Sequence, residues 1–387
     1  MTYTSANPNI LQSLLFHSSD FNSCFFRYPS ERELEFQSFL HTIVSLLTPR
    51  EVSLLSVRCS KGRNGYHLTA ILGIMLLKLF YRQATMKETL LLLQENGNLK
   101  DIVGIAKVPS EATVSRLARK VETLVKPEVL HERIITFYHE ETGRMVGHLS
   151  IDSTIIEARE KPYRKDKAPK TAPRKRGRKK KGSPEEKAYV VAQAAKKKKK
   201  EEYLRESPEI SLARLEKRCS LTAKQNSKGK NQWFIGYKAH ISTDDFGIPI
   251  SYAVTGACVH DCKVAVPLMK IAHQYTDFYY VLMDKGYINP DIDAYANLIE
   301  RKVIIDQRRY GGVDPPPMCP ATACRYQART TVERTNSELK DGFLPSKIYR
   351  KGRHARYDIA LSILLTTLKK IRNVLTIRDE IKAGKAS

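Results

Sequence analysis

The sequence has no uninterrupted apolar stretch approaching about 18–20 residues, so no membrane-spanning helix is expected from it. Its first residues, "MTYTSANPNILQSLLF", lack the basic segment and small-residue cleavage site of a secretory signal. A cytoplasmic location is the expectation. Cysteine is short of pattern: the seven cysteines, at 24, 59, 219, 258, 262, 319 and 324, are odd in number and scattered. Neither "CVHDC" nor "CPATAC" fits a common paired zinc knuckle, so reduced, mostly buried thiols are expected rather than structural zinc. Negative charge is the other shortage. Against 66 Lys and Arg there are 41 Asp and Glu, a net charge of +25. A surplus this large implies a polyanionic partner, most often nucleic acid, without saying whether that partner is cut, copied or coated.

What is present suffices for roughly two or three domains on the usual size prior, with 42% apolar residues to build their cores. Residues 1–145 read as helical, a DNA-binding domain by expectation. Ser30 followed by Glu33 is a capping-box pattern, and the segment 66–81 is apolar nearly all round, as a central buried helix would be. In "VPSEATVSRLARKVETL" (108–124), Pro109 and Ser110 open a short helix carrying Thr113, Ser115, Arg116 and Arg119. It resembles the second helix of a helix-turn-helix, whose hydroxyls and arginines meet a DNA backbone. An ordinary capped surface helix fits equally well.

The rhythm changes at Gly147. "GHLSID" (147–152) reads as a strand ending in Asp152. Residues 159–205 then hold 20 basic and 6 acidic residues, over half of the whole surplus. Such a run is expected to be solvated and poorly ordered, so 159–230 is set apart as a basic, partly disordered insert. Two strands follow, 233–241 and 247–257, and Asp261 is placed to cap a helix at 262–275. In "YVLMDKGYINPD" the apolar run Tyr279–Met283 reads as a buried strand that stops at Asp284, with Gly286 letting the chain turn. A plain turn aspartate is the alternative. A helix near 291–300, a strand at 303–306 and a helix over roughly 326–343 complete the order. This is the order of a ribonuclease H-like α/β fold, a mixed sheet flanked by helices, covering 146–158 and 231–387. Its first and fourth strands are neighbours, which brings Asp152 and Asp284 side by side.

Two aspartates suffice for one divalent ion, but in-line phosphodiester cleavage favours two ions about 3.5–4 Å apart, so a third carboxylate is wanted. In "YQARTTVERTNSELK", Tyr326, Arg329, Glu333 and Lys340 share one helical face, while Ala328, Val332, Leu339 and Phe343 form an apolar stripe for docking on the sheet. A salt-bridge ladder accounts for the polar face on its own. Lys238 and His240 share a face of the second strand and either approach the site or serve the core.

Together these residues make a family resemblance. The chain resembles the DDE insertion-sequence transposases with a Y-(2)-R-(3)-E-(6)-K signature: Tyr326, Arg329, Glu333 and Lys340 meet its spacing. "SIDST" and "MDKGY" match the surroundings of the family's two aspartates, and "WFIGYKAH" with "GIP" resembles its second and third strands. The likeness covers 147–158 and 231–372. It implies that Asp152, Asp284 and Glu333 are the catalytic carboxylates and hold two Mg²⁺ ions, for which Mn²⁺ can substitute. It further implies cleavage at the element's ends, strand transfer into target DNA, and a dimer or larger assembly. Tyr326, Arg329 and Lys340 would grip the DNA backbone, with Lys285, Arg116 and Arg119 as further DNA contacts. The 49 residues from Asp284 to Glu333 are too few for the large β insertion of some relatives. Two rival readings remain at this stage, a metal-dependent nuclease or resolvase and a domesticated DNA-binding protein without catalysis.

Overall fold

Capping residues set the ends of the helices that precede the first strand. The computed structural model describes residues 29–56, 65–143, 145–163, 177, 180–225, 228–307, 313 and 315–382. Helix α1 (Glu31–Ser45) starts on the expected capping box. The Glu33 amide donates to Ser30 Oγ at 3.3 Å, and the Ser30 amide donates to the Glu33 carboxylate at 2.8 Å. After α2 (Pro49–Ser56) comes α3 (Leu68–Phe80), buried at every residue from Ala70 to Phe80, as its unbroken apolar sequence requires. The helices α4 (Met86–Glu95), α5 (Gly97–Val103) and α6 (Glu111–Leu124) pack around it, and α7 (Pro127–Thr142) packs on the last described helix of the chain. Ser110 caps α6 by accepting from the Thr113 amide, and α7 opens with proline and closes at Gly143, whose φ of 54° is the left-handed region glycine favours.

The sheet begins with β1 (Val146–Glu157). Then follow α8 (Pro184–Arg205), α9 (Pro208–Ala213), β2 (Ser220–Gln225), β3 (Asn231–Thr243), β4 (Pro249–Gly256), α10 (Cys262–Tyr275) and β5 (Phe278–Met283). A 3₁₀ turn (Lys285–Tyr287), α11 (Pro290–Leu298), β6 (Lys302–Ile305), α12 (Pro320–Gln327), α13 (Thr330–Gly342) and α14 (Arg353–Lys382) complete the order. The strands lie in the sequence β2–β3–β1–β5–β6, with β4 also paired to β3. β1 is antiparallel to β3 and parallel to β5, so the first and fourth strands of the expected ribonuclease H-like sheet are neighbours.

Three sequence expectations need correction here. β1 does not end at Asp152; it runs five residues further because Asp152–Glu157 continue to pair with Ile241–Gly236 of β3. The 159–230 segment is not only an insert, since its β2 is hydrogen-bonded along β3 from Ser220↔Gly236 to Gln225↔Asn231. The second part of its charged stretch forms α8, capped by Ser183 and rich in the strong helix formers Ala, Lys and Glu, with no buried residue. The rest of the expected disorder, at 164–176, 178–179 and 226–227, lies outside the described residues. Finally, the helix read over 326–343 is two helices. Amides 328, 329 and 331 each bond three residues back, a tightened turn that ends α12 before α13 begins.

One hydrophobic cluster runs from Phe36 and Leu76 through Ile135 to Ile151 and Ile250, joining the N-terminal helices to one face of the sheet. The other face, with Ile156, Tyr237, Ala239 and Ile241, packs against Leu339 of α13 and Ile359 and Ile363 of α14. Charge also crosses this junction. Lys78 of α3 pairs with Asp358 of α14 at 2.8 Å, both side chains 3% exposed. Arg350 bridges Asp358 and Glu122 of α6, and His354 also reaches Glu122. Burial works against the charge on Asp358, yet Lys78 and Arg350 hold its carboxyl below the usual range.

Candidate active site

Strand register decides which carboxylates meet. The β1–β5 ladder pairs Ser150 with Leu282, and two residues further along each chain bring Asp152 beside Asp284. Asp284 stands where β5 ends, while β1 carries on past it. Both readings of Asp284 hold together: its Oδ1 accepts from the Gly286 amide at 2.6 Å, capping the 3₁₀ turn, and its carboxylate faces the Asp152 position. A Cβ at Gly286 would lie 2.7 Å from that oxygen, so a side chain there would make the Asp284 carboxylate shift.

α13 supplies the third carboxylate. Val332 and Leu339 are fully buried against the sheet, as the apolar stripe requires, and this docking brings Asn336 to β1 while Glu333 stays exposed beside Arg329. The Asn336 side-chain amide donates to Asp152 Oδ2 at 3.0 Å. Arg329 lies between the acids, 2.7 Å from Glu333 Oε1 and 3.9 Å from Asp152 Oδ1. Tyr326 donates its hydroxyl proton to the Met283 carbonyl at 3.2 Å, one residue before Asp284. Lys340 lies on the exposed side of α13. Burial and Lys224 hold its ammonium below the usual lysine value, and Asp152 is among the acids that oppose this.

Asp152 carries the perturbed charge. Burial pushes its carboxyl up to about 6, the Ser153 amide and Arg329 oppose that, and the like charges of Asp284 and Glu333 add to it. Among the described residues, no three His, Cys, Asp or Glu side chains already converge on one metal position, since Arg329 stands between Asp152 and Glu333. The donors nonetheless fit a hard divalent cation. They are carboxylate oxygens whose mutual repulsion such an ion relieves.

Asn336 was not singled out from sequence. Its signal was available: three residues after Glu333 and seven after Arg329, it falls on the same helical face. Other candidates lie elsewhere. Lys238 and His240 point from the opposite face of β3, pairing in register with Ile155 and Ser153 rather than with Asp152. Lys238 bonds Asp261 at 2.8 Å and the Val259 carbonyl at 3.0 Å. His240 meets Thr255 Oγ1 at 2.9 Å, and burial pushes its imidazole down to about 3. They serve the core. Asp261 does not cap α10 with its side chain, as the sequence suggested, because Lys238 and Ser153 engage it instead. Arg116 and Arg119 are exposed on α6, outside every hydrogen bond and ion pair of the three acids, and Lys285 is exposed beside Asp284. The cysteine expectation fails in part: of the five described thiols, all free, only Cys219 is buried, while Cys258, Cys319 and Cys324 are exposed. No described helix is long and apolar enough to cross a membrane.

Set against known proteins, residues 147–368 match the family described as "Transposase DDE domain", and residues 29–120 match "Transposase domain (DUF772)". No curated protein and no solved structure matches the chain. The first match begins on β1 and ends within α14, so it contains the sheet and all three acids.

Proposed function

Because the chain belongs to the insertion-sequence transposases with a DDE domain, we propose that Asp152, Asp284 and Glu333 are its catalytic acids, acting with two Mg²⁺ or Mn²⁺ ions on DNA phosphodiesters at the element's ends. The observation that carries this reading is the β1–β5 register, which sets Asp152 beside Asp284 on a rigid sheet under the helix that bears Glu333. The three carboxylates would hold the metal, which when bound activates the attacking oxygen and stabilises the leaving one.

The chain's own residues do the rest. Asn336 fixes the orientation of Asp152 through its 3.0 Å bond. Tyr326 anchors the end of β5 through Met283, keeping Asp284 in place while its ring stays near the DNA. Arg329 exchanges its carboxylate partners for a phosphate, where its planar fork makes two parallel hydrogen bonds, and Lys340 adds a point charge along the same backbone. The N-terminal helices, through Arg116 and Arg119, and α8, through its lysines, extend the DNA interface, and two copies bridge the paired ends.

The test is incubation with Mg²⁺ and DNA carrying the element's own ends. Nicked and joined products together support transposition chemistry, whereas nicked products alone favour a nuclease or resolvase. Asp284→Ala is expected to abolish both products while retaining DNA binding. A fully active Asp284→Ala variant would overturn the site assignment.

A further inference from the structure

A second cluster of unsatisfied groups includes none of the three carboxylates and lies two strands from Asp152, where Tyr252 pairs with Ile241. Helix α6, the start of α7, β4 and the start of α14 border an open cavity of about 410 Å³, within the range of small-ligand pockets. Arg119, Lys217, Arg353 and Arg356 line it. The side chains of Lys217 and Arg356 have no hydrogen-bonded or ion-paired partner among the described residues, and Arg356 Nε is fully buried. Tyr252, also on the wall, has a buried hydroxyl with no hydrogen-bond partner among the described residues.

The acids present do not balance these cations. Glu122 is already held by Arg350 and His354, and Lys126 spends its ammonium on the Glu122 backbone carbonyl at 2.9 Å. Glu128 is the remaining carboxylate on the wall. Burial holds the Lys217 ammonium below its usual value, the Arg356 charge pushes it the same way, and Glu128 opposes them. Like charges converge here beside donors that have no acceptor, an arrangement that is unfavourable until an anion enters.

The donors specify that anion. Guanidinium forks, an ammonium and a phenol are all donors, and the fork suits phosphate oxygens two at a time. At about 30 Å³ per water the cavity holds more than ten water volumes. That is room for a sugar attached to the phosphate. We propose that this cavity is a phosphate site separate from the carboxylate centre, in which Arg356, Lys217 and the Tyr252 hydroxyl hold the phosphate of a nucleotide unit. The nucleotide is either part of a bound DNA strand or a free mononucleotide.

The experiment uses the full chain without divalent metal, so cleavage plays no part and the outcome is independent of the assignment of Asp152, Asp284 and Glu333. Two probes are titrated by calorimetry, deoxyadenosine monophosphate and a short 5′-phosphorylated duplex of arbitrary sequence. The variants are Arg356→Ala, Lys217→Ala and Tyr252→Phe. Each removes a group that lacks a partner, so melting temperatures are expected to hold or rise. Affinity for one of the probes is expected to fall about tenfold in each variant, the size of one charge-assisted hydrogen bond. A fall for the mononucleotide identifies a free nucleotide as the occupant, and a fall confined to the duplex identifies a DNA strand. Tyr252→Phe keeps every charge, so its effect cannot be a general loss of attraction for DNA. Wild-type affinity for both probes in Tyr252→Phe, or a drop in melting temperature across the three variants, overturns the proposal.

Discussion

At the scale of single residues, Asp152 trades stability for readiness. Its folded value of about 6 lies above the ordinary 3.8. Its contribution to stability is therefore fully present below about pH 4 and is lost as pH rises through about 6. Two units correspond to on the order of 3 kcal/mol. Asp152→Asn is expected to be more stable than the wild type near neutral pH without metal, and to lose the pH dependence in that window. Mg²⁺ should raise the melting temperature of the wild type and leave the variant's where it is, because binding to the native state alone stabilises it. A variant no more stable than the wild type would refute the electrostatic account. Arg329 provides the complementary case. Its partner Glu333 is half exposed, but Arg329 itself is mostly buried and tempers the charge on Asp152, so Arg329→Ala should lower the melting temperature near neutral pH by more than loss of a surface pair would. Single-turnover cleavage should fall by at least about tenfold, the loss of roughly 1.4 kcal/mol of transition-state stabilisation, and Arg329→Lys should restore little of it. The placement of Asp152 beside Asp284 was legible in the sequence because each follows a recognisable strand pattern. Asn336 was not, since a neutral amide on a helix carries no charge signature and its role shows only when β1 is placed beneath it. Lys238 and His240 were ambiguous because periodicity puts them on one face without saying which face.

At the scale of elements, the adjacency of β1 and β5 was legible, whereas β2 and the strand ends were not. β1 read as a strand that stops at Asp152 because the charge there looks like an end. Pairing with β3 overrides that, carrying the strand to Glu157. The join between α12 and α13 was equally hidden, since a two-residue tightening at Ala328 and Arg329 leaves the helical spacing of Tyr326, Arg329 and Glu333 almost intact. α8 shows propensity prevailing where composition suggested disorder. Gly236, on β3 between β1 and β2, tests how tightly these strands are joined. A Cβ there would fall 2.0 Å from the Ile156 carbonyl oxygen, so backbone rather than a flexible side chain would have to move. Gly236→Ala is expected to destabilise the protein by at least the 1–3 kcal/mol typical of overpacking, read as a lower denaturation midpoint. Cleavage should fall with it, because Ile156 lies on the strand that positions Asp152. A midpoint equal to the wild type's would show that the strands part easily.

At the scale of the whole molecule, the +25 charge was legible as a sign of a nucleic-acid partner, but composition could not show where it is displayed. One run of it, Lys196–Lys200, stands on α8, a helix without a buried residue. Replacing Lys196, Lys197, Lys198, Lys199 and Lys200 with Gln should leave folding intact. DNA binding should weaken alike for all sequences, and its salt dependence should flatten by about 0.9 in log–log slope for each phosphate no longer neutralised. An unchanged slope would mean that these lysines face another partner. The charges that join the N-terminal helices to α14 are of the opposite kind, with Lys78, Glu122 and Asp358 buried and mutually dependent on their partners. Lys78 and Glu122 come from the helices before β1, whereas Arg350, His354 and Asp358 come from the far end of the sequence. Exchange of modules between relatives is thereby constrained. A recombinant cut at the start of β1 that imported a foreign helical half would leave Asp358 without Lys78 and Arg350 without Glu122, stranding buried charge at a cost of about 3–5 kcal/mol for each broken pair. Viable hybrids must inherit both halves of the lock, so the two family segments are expected to travel through evolution as one heritable unit.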